Sequence, residues 1–279
     1  MRRHAKGALG RLTFAIGLDA LLLRKAGVIV AFHRVHDGED TRGLSISRDM
    51  FERHCRFFKR HFHVVPLEDL VTKLEHGRPI DRLLAITFDD GYRDNFVNAR
   101  PVLEALSLPA TFFVVSQWIG SDAWPWWDRE QGVRHRWMTW NQVRQLNDGG
   151  FNIGAHTRTH ADLGATDGTA ARKEILGART EIEHELGRAI DLFAYPYGGH
   201  GNMSDANRSL VKAAGFRCCC SCYGGLTRRG ADPFRLPRIA VSPWYDSPHQ
   251  FGVELLRETG TPAKPKGRRC SEISAAIGY

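Results

Sequence analysis

The chain has 279 residues, of which 42% are hydrophobic, 25% charged and 10% aromatic. These proportions exclude a disordered, collagen-like or coiled-coil chain, and the length suffices to bury one large core. The net charge of +8 sits at the ends: residues 1–35 carry seven Lys/Arg against Asp19, residues 260–279 carry four against Glu272, and the stretch between is at −1. A body without net positive charge argues against nucleic acid as a partner.

The elements follow in chain order. Leu9, Leu12, Ile16 and Leu23, with Arg2, Arg3, Arg11 and Arg24, fit a basic amphipathic helix. Such a helix either lies on an anionic membrane surface through residues 1–24 or packs on the protein's own core. The apolar run Leu12–Leu23 is too short to span a bilayer, and no small-residue cleavage site follows it. The expectation is a cytoplasmic or membrane-associated protein.

Strands are expected at 27–32, 83–88, 110–115, 151–155, 191–195, 215–220 and 235–241, all rich in β-branched or aromatic residues. Helices are expected at 48–60, 67–76, 139–148, 169–186 and 204–214. The third of these opens on Thr139-Trp140-Asn141-Gln142, a capping box. Strands alternating with helices imply a mostly parallel α/β sheet, and about seven strands favour a barrel. No Gly-x-Gly-x-x-Gly follows the first strand and no phosphate loop is present, so a nucleotide partner has no support. Residues 1–23 are read as the amphipathic segment, 24–259 as one barrel domain and 260–279 as a basic, flexible tail. The cluster Cys218-Cys219-Cys220-Ser221-Cys222 suits neither a disulfide framework nor a metal-thiolate site, and reads as small buried hydrophobes.

Three polar groupings fall at expected strand ends, which form the active rim of a parallel barrel. The first is Thr87-Phe88-Asp89-Asp90-Gly91-Tyr92: adjacent carboxylates at the end of a buried strand, one able to ligate a metal while the other acts as a base, or else a capping turn. The second is His156-Thr157-Arg158-Thr159-His160. Its two imidazoles, four residues apart, can face one cation, and two His plus one carboxylate leave coordination open for water. The third, Tyr195-Pro196-Tyr197-Gly198-Gly199, is a rigid turn whose backbone N–H groups can hold an oxyanion, or an ordinary surface turn.

In this order, Ile86-Thr87-Phe88-Asp89-Asp90-Gly91, His156-Thr157-x-x-His160 and Tyr195-Pro196-Tyr197-Gly198 resemble the polysaccharide deacetylases with a NodB homology domain, carbohydrate esterase family four. The resemblance covers roughly residues 27–241. It extends to Val30-Ala31-Phe32-His33-Arg34-Val35, which looks like the exopolysaccharide-type branch, and to Pro109-Ala110-Thr111-Phe112-Phe113-Val114. It implies a distorted (β/α)7 barrel and one divalent metal ion, zinc or alternatively cobalt or manganese. It also implies removal of N-acetyl groups from an N-acetylated glycan, polymeric or lipid-linked. Carried over, Asp89 is the general base, Asp90, His156 and His160 hold the metal, and Tyr197 offers its backbone N–H to the oxyanion and contacts substrate.

Two departures stand out. The family's third motif usually begins with an Arg that orients the base, where this chain has Ala194. The Leu-x-His that supplies the acid is replaced by Leu236-Pro237-Arg238. His33 is the candidate donor, ahead of His36 and His200, and Arg238 either contacts substrate or pairs with Asp89. Trp124, Trp126 and Trp127 suit a glycan-binding wall, since sugar C–H faces stack on indoles, or a loop packed over the barrel. Three alternatives to the polysaccharide enzyme stand: a non-catalytic glycan-binding module on the same barrel, a deacylase of a lipid-linked sugar at the cytoplasmic membrane face, and a hydrolase of peptides or small amides.

Overall fold

Every residue of Ala26–Phe32 and of Leu83–Phe88 is buried, as unbroken apolar runs in a sheet covered on both faces require. The computed structural model describes residues 2–38 and 43–259. In chain order its elements are α1 (Arg2–Ala15), α2 (Leu18–Leu22), β1 (Ala26–Phe32), β2 (Arg34–Val35), β3 (Ser45–Ile46), α3 (Arg48–His61), β4 (His63–Val64), α4 (Leu67–Glu75) and β5 (Leu83–Phe88). A π turn over Asn95–Ala99 leads into α5 (Arg100–Ala105), then β6 (Thr111–Val114), α6 (Trp126–Glu130), α7 (Trp140–Asp148), β7 (Asn152–Ala155) and α8 (Gly168–Leu186). The described residues end with β8 (Leu192–Ala194), α9 (Asp205–Ala213), β9 (Cys218–Cys220), β10 (Thr227–Arg228), β11 (Ile239–Ala240) and α10 (Pro248–Thr259).

The strands β1, β5, β6, β7, β8 and β9 lie side by side in that order, all parallel. β11 adds to the free edge of β1, Val30 opposite Ile239, and a bridge from Cys220 to Leu236 joins β9 to the segment entering β11. Seven parallel strands thus curl into the expected distorted (β/α)7 barrel, with helices outside. β4 extends the edge of β5, and β10 pairs antiparallel with the start of β1.

Local sequence chemistry sets the helix starts. Ser47 caps α3 by accepting the Met50 N–H, and Thr139 and Gln142 form the expected capping box on α7. Asp167 accepts two N–H groups at the start of α8, and Ser204 caps α9. The five described cysteines are buried.

Of the two expectations for the N-terminal segment, packing of the leucine stripe on the core is not what the structure shows. Of the four apolar residues assigned to one face, only Leu23 is buried; Leu9, Leu12 and Ile16 are exposed, and Phe14 enters the core instead. α1 lies along α10 through Gly7 and Gly10, and Lys6 pairs with Glu254 at 3.0 Å. A Cβ at Gly10 would stand 2.1 Å from the His249 carbonyl oxygen, so only glycine permits this approach. The basic tail 260–279 lies outside the described residues.

Candidate metal and catalytic site

Asp89 and Asp90 follow directly on β5, and His156 follows directly on β7, so parallel strands deliver both motifs to one end of the barrel. The Asp89 N–H donates to the Phe32 carbonyl at 2.9 Å, tying the exit of β5 to the end of β1. Asp90 Oδ1 faces His156 Nε2 at 3.4 Å and His160 Nε2 at 3.3 Å. One ligand atom from each of the three residues lies within 4.8 Å of the other two, and all three residues are buried.

The surroundings hold these three groups in place. His156 Nδ1 is 2.8 Å from the Ala194 carbonyl. A carbonyl only accepts, so Nδ1 carries the proton and Nε2 is turned towards Asp90. Position 194 thus acts through its backbone, where its side chain offers nothing. The His160 ring is sandwiched by Trp118, stacked at 5.1 Å between centroids, with the Trp127 and Tyr197 rings set edgewise at 5.1 and 4.8 Å. Asp90 Oδ1 is a buried carboxylate oxygen without a well-formed hydrogen bond. Two carboxylates against one guanidinium leave a local charge of −1, a carboxylate–imidazole set that suits a divalent metal.

Backbone strain concentrates here as well. Six described non-glycine residues have left-handed φ, and four belong to the three motifs: Asp90 (φ 73°), Thr157 (63°), His160 (61°) and Tyr197 (62°). Such conformations cost of order 1–3 kcal/mol each and persist only where the structure over-determines them. Gly91, at φ 88°, completes the turn, and a Cβ there would come within 2.8 Å of Ile119.

Asp89 is held apart from the three-residue group. Arg238 donates Nη1 to Asp89 Oδ1 and Nη2 to Oδ2, both at 2.7 Å, and spends its remaining contacts on Thr87 Oγ1 and the Ser221 carbonyl. Burial alone would raise the Asp89 carboxyl pKa. The guanidinium, helped by His156 and His33, outweighs it, so Asp89 titrates below the usual carboxylate range. Of the two expectations for Arg238, contact with substrate is corrected. Its side chain is fully buried, with both terminal nitrogens turned onto Asp89.

The remaining site residues divide by exposure. His33, half-buried at the end of β1, stands close enough for its charge to act on Asp89, Asp90 and His160. Trp124 is exposed and Trp126 half-buried, whereas Trp127 is buried and donates its indole N–H to the Tyr92 hydroxyl. Trp127 therefore walls in His160, and as a buried side chain it offers no open face for a sugar to stack on. His200 stacks on Tyr223, and His36 meets His135 at a tilt, with 4.8 Å between ring centroids.

Three features were not anticipated. Trp118 covers His160; its position just past the strand ending at Val114 was the available signal. Arg34 pairs with Asp128 at 2.8 Å, both fully buried, tying α6 to the end of β1. Asn95, buried in the π turn, donates to the His33 carbonyl and so fixes the backbone of the candidate acid.

Residues 76–219, just over half of the chain, match the family model described as Polysaccharide deacetylase. The chain belongs to that family. Among curated relatives of this deacetylase-family chain, the polysaccharide deacetylase YxkH of Bacillus subtilis (strain 168) is 24% identical over 77% of the chain and 71% of its own length. Poly-beta-1,6-N-acetyl-D-glucosamine N-deacetylase of Staphylococcus aureus (strain MRSA252) is 22% identical over 82% and 79%. In fold, the Streptococcus pyogenes deacetylase PplD, solved with acetate, aligns over 85% of this chain and 99% of its own, with a TM-score of 0.69 and 19% identity. IcaB from Ammonifex degensii aligns over 82% and 96%, with a TM-score of 0.68 and 22% identity.

Proposed function

We propose that this chain is a metal-dependent N-deacetylase acting on N-acetylated sugars of a polysaccharide or lipid-linked glycan, with one zinc ion held by Asp90, His156 and His160. The observation that carries the reading is the division of labour between adjacent carboxylates: Asp90 faces two imidazoles, and Asp89 faces a guanidinium. A cation held by these three residues would supply Lewis-acid polarisation of the acetamide carbonyl and acidify the attacking water. Asp89, kept ionised and aimed by Arg238, takes a proton from the attacking water. The Tyr197 N–H, on its left-handed turn, donates to the developing oxyanion. An amide anion cannot leave unaided, so His33 protonates the departing sugar amine. The exposed faces of Trp124 and Trp126 stack against sugar rings flanking the acetyl group. The nearness of His33 to both carboxylates supports an enzyme over a non-catalytic glycan binder.

The experiment is acetate release from β-1,6-linked N-acetylglucosamine oligomers with zinc, cobalt or manganese added. Turnover that disappears in Asp89→Asn, while that variant still binds metal, supports the reading. Oligomer binding without acetate release under any of the three metals overturns it in favour of a binding module. Acetate release unchanged in His33→Ala across the pH range would move the acid elsewhere.

A further inference from the structure

The helical hairpin α1–α2 is packed inside out. Among the described residues nine large apolar side chains are exposed, and six of them are Leu9, Leu12, Ile16, Leu18, Leu21 and Leu22. Leu12, Ile16 and Leu21 are 59%, 67% and 63% exposed. Ala8, Leu9, Leu12 and Ile16 recur at helical spacing and form one outward stripe along α1, while Gly7, Gly10, Thr13 and Phe14 face the protein. Rotating α1 to bury the leucines is blocked, because α10 approaches so closely that a Cβ at Gly10 would strike its backbone. The outward stripe is thus fixed by the packing, and it is larger than the scattered apolar residues of an ordinary surface.

Charge selects the occupant. Residues 2–25 carry six Lys/Arg and one acid, Asp19, which is buried and turned towards Arg82 at 3.4 Å. Arg11, Arg24 and Lys25 are exposed on the same hairpin as the leucines. Two copies of such a surface, pressed together about a two-fold axis, would repel; an anionic lipid surface satisfies the apolar stripe and the cations at once. No described helix is long and apolar enough to cross a membrane, and at 14 residues α1 can only lie along one.

We propose that the exposed face of α1–α2 docks this protein in-plane onto an anionic membrane surface, with Leu12, Ile16 and Leu21 entering the acyl boundary and Arg11, Arg24 and Lys25 meeting lipid phosphates. Docking does not depend on the deacetylase reading and is scored without turnover.

The test is flotation of the full chain with phosphatidylcholine vesicles, with and without about 30 mol% phosphatidylglycerol. The wild type floats with the anionic vesicles, and bound protein falls as salt rises. The variant L12E/I16E/L21E loses at least about tenfold in the bound fraction, with its near-ultraviolet circular dichroism unchanged because the three side chains already face solvent. The charge variant R11E/R24E/K25E, which leaves the stripe intact, loses binding as well. Three results overturn the proposal: no flotation of the wild type, equal flotation of L12E/I16E/L21E, or equal binding to neutral and anionic vesicles. A wild-type dimer in sedimentation velocity that L12E/I16E/L21E abolishes, without vesicle binding, assigns the face to a second copy instead.

Discussion

Arg238 and Asp89, 149 residues apart in sequence, meet in a buried two-pronged ion pair. The pair joins β11 to β5 across β1, so it locks the closing seam of the barrel and the candidate base with one contact. Arg238→Met leaves a buried carboxylate without compensation and should cost about 3–5 kcal/mol. Adding Asp89→Asn removes the orphaned charge and should recover part of that loss, a coupling readable by urea denaturation in a double-mutant cycle. A cost below about 1 kcal/mol for Arg238→Met would show that the seam does not depend on the pair.

The ligand assignment makes a second claim, about stability. A cation that binds only the folded chain stabilises it by about 2.7 kcal/mol at a hundredfold excess over its dissociation constant. Zinc should therefore raise the melting temperature of the wild type. Asp90→Ala and His156→Ala should lose that rise and retain less metal after gel filtration. Asp89→Asn should keep it. An equal zinc response in Asp90→Ala would place the metal elsewhere.

Much of this site was legible because parallel strands carry their polar residues to a common end. Asp89, Asp90, His156 and His160 could be read from their places after apolar runs. The pairing of Arg238 with Asp89 stood as one of two readings, since no local signal tells which way a side chain turns at a strand entry. Trp118 and the Arg34–Asp128 pair went unread for a related reason: their partners lie far off in sequence, on loops whose path only the assembled barrel sets. The short strands β2, β3, β4 and β10 have two residues each, too few for alternation to show. For α1 two readings stood, membrane surface and core, because helical periodicity reveals two sides without saying which is inward. Gly7 and Gly10, not the leucines, decide that.

Arg34 and Asp128 yield a third prediction. Their 2.8 Å contact holds α6, and with it Trp127 against His160. Asp128→Ala takes away the carboxylate that the buried Arg34 guanidinium grips and should destabilise the protein by about 3–5 kcal/mol. It should also loosen the cradle around His160, so metal affinity falls together with stability. Asp128→Glu, which keeps the charge, should restore part of both. Normal metal affinity in a folded Asp128→Ala chain would separate α6 from the site.

The last prediction concerns acid. His54 is fully buried between Phe58 and Phe251, and its Nδ1–H donates to the Met50 carbonyl at 2.9 Å. Burial opposes its charged form and lowers its pKa from 6.5 to about 4. The unfolded chain takes up this proton near pH 6.5 and the folded chain only near pH 4. The neutral, packed imidazole therefore favours folding fully above the unfolded value, and that contribution is lost as pH falls through the window between the two. At about 1.4 kcal/mol per pH unit, the loss between neutral pH and about pH 4.5 comes to about 2 kcal/mol. In His54→Leu the site holds no titrating group, so its stability should fall by about that much less over the same interval. Urea unfolding of both proteins at the two pH values measures the difference directly. Parallel losses in the two would mean that His54 already exchanges its proton freely in the folded state.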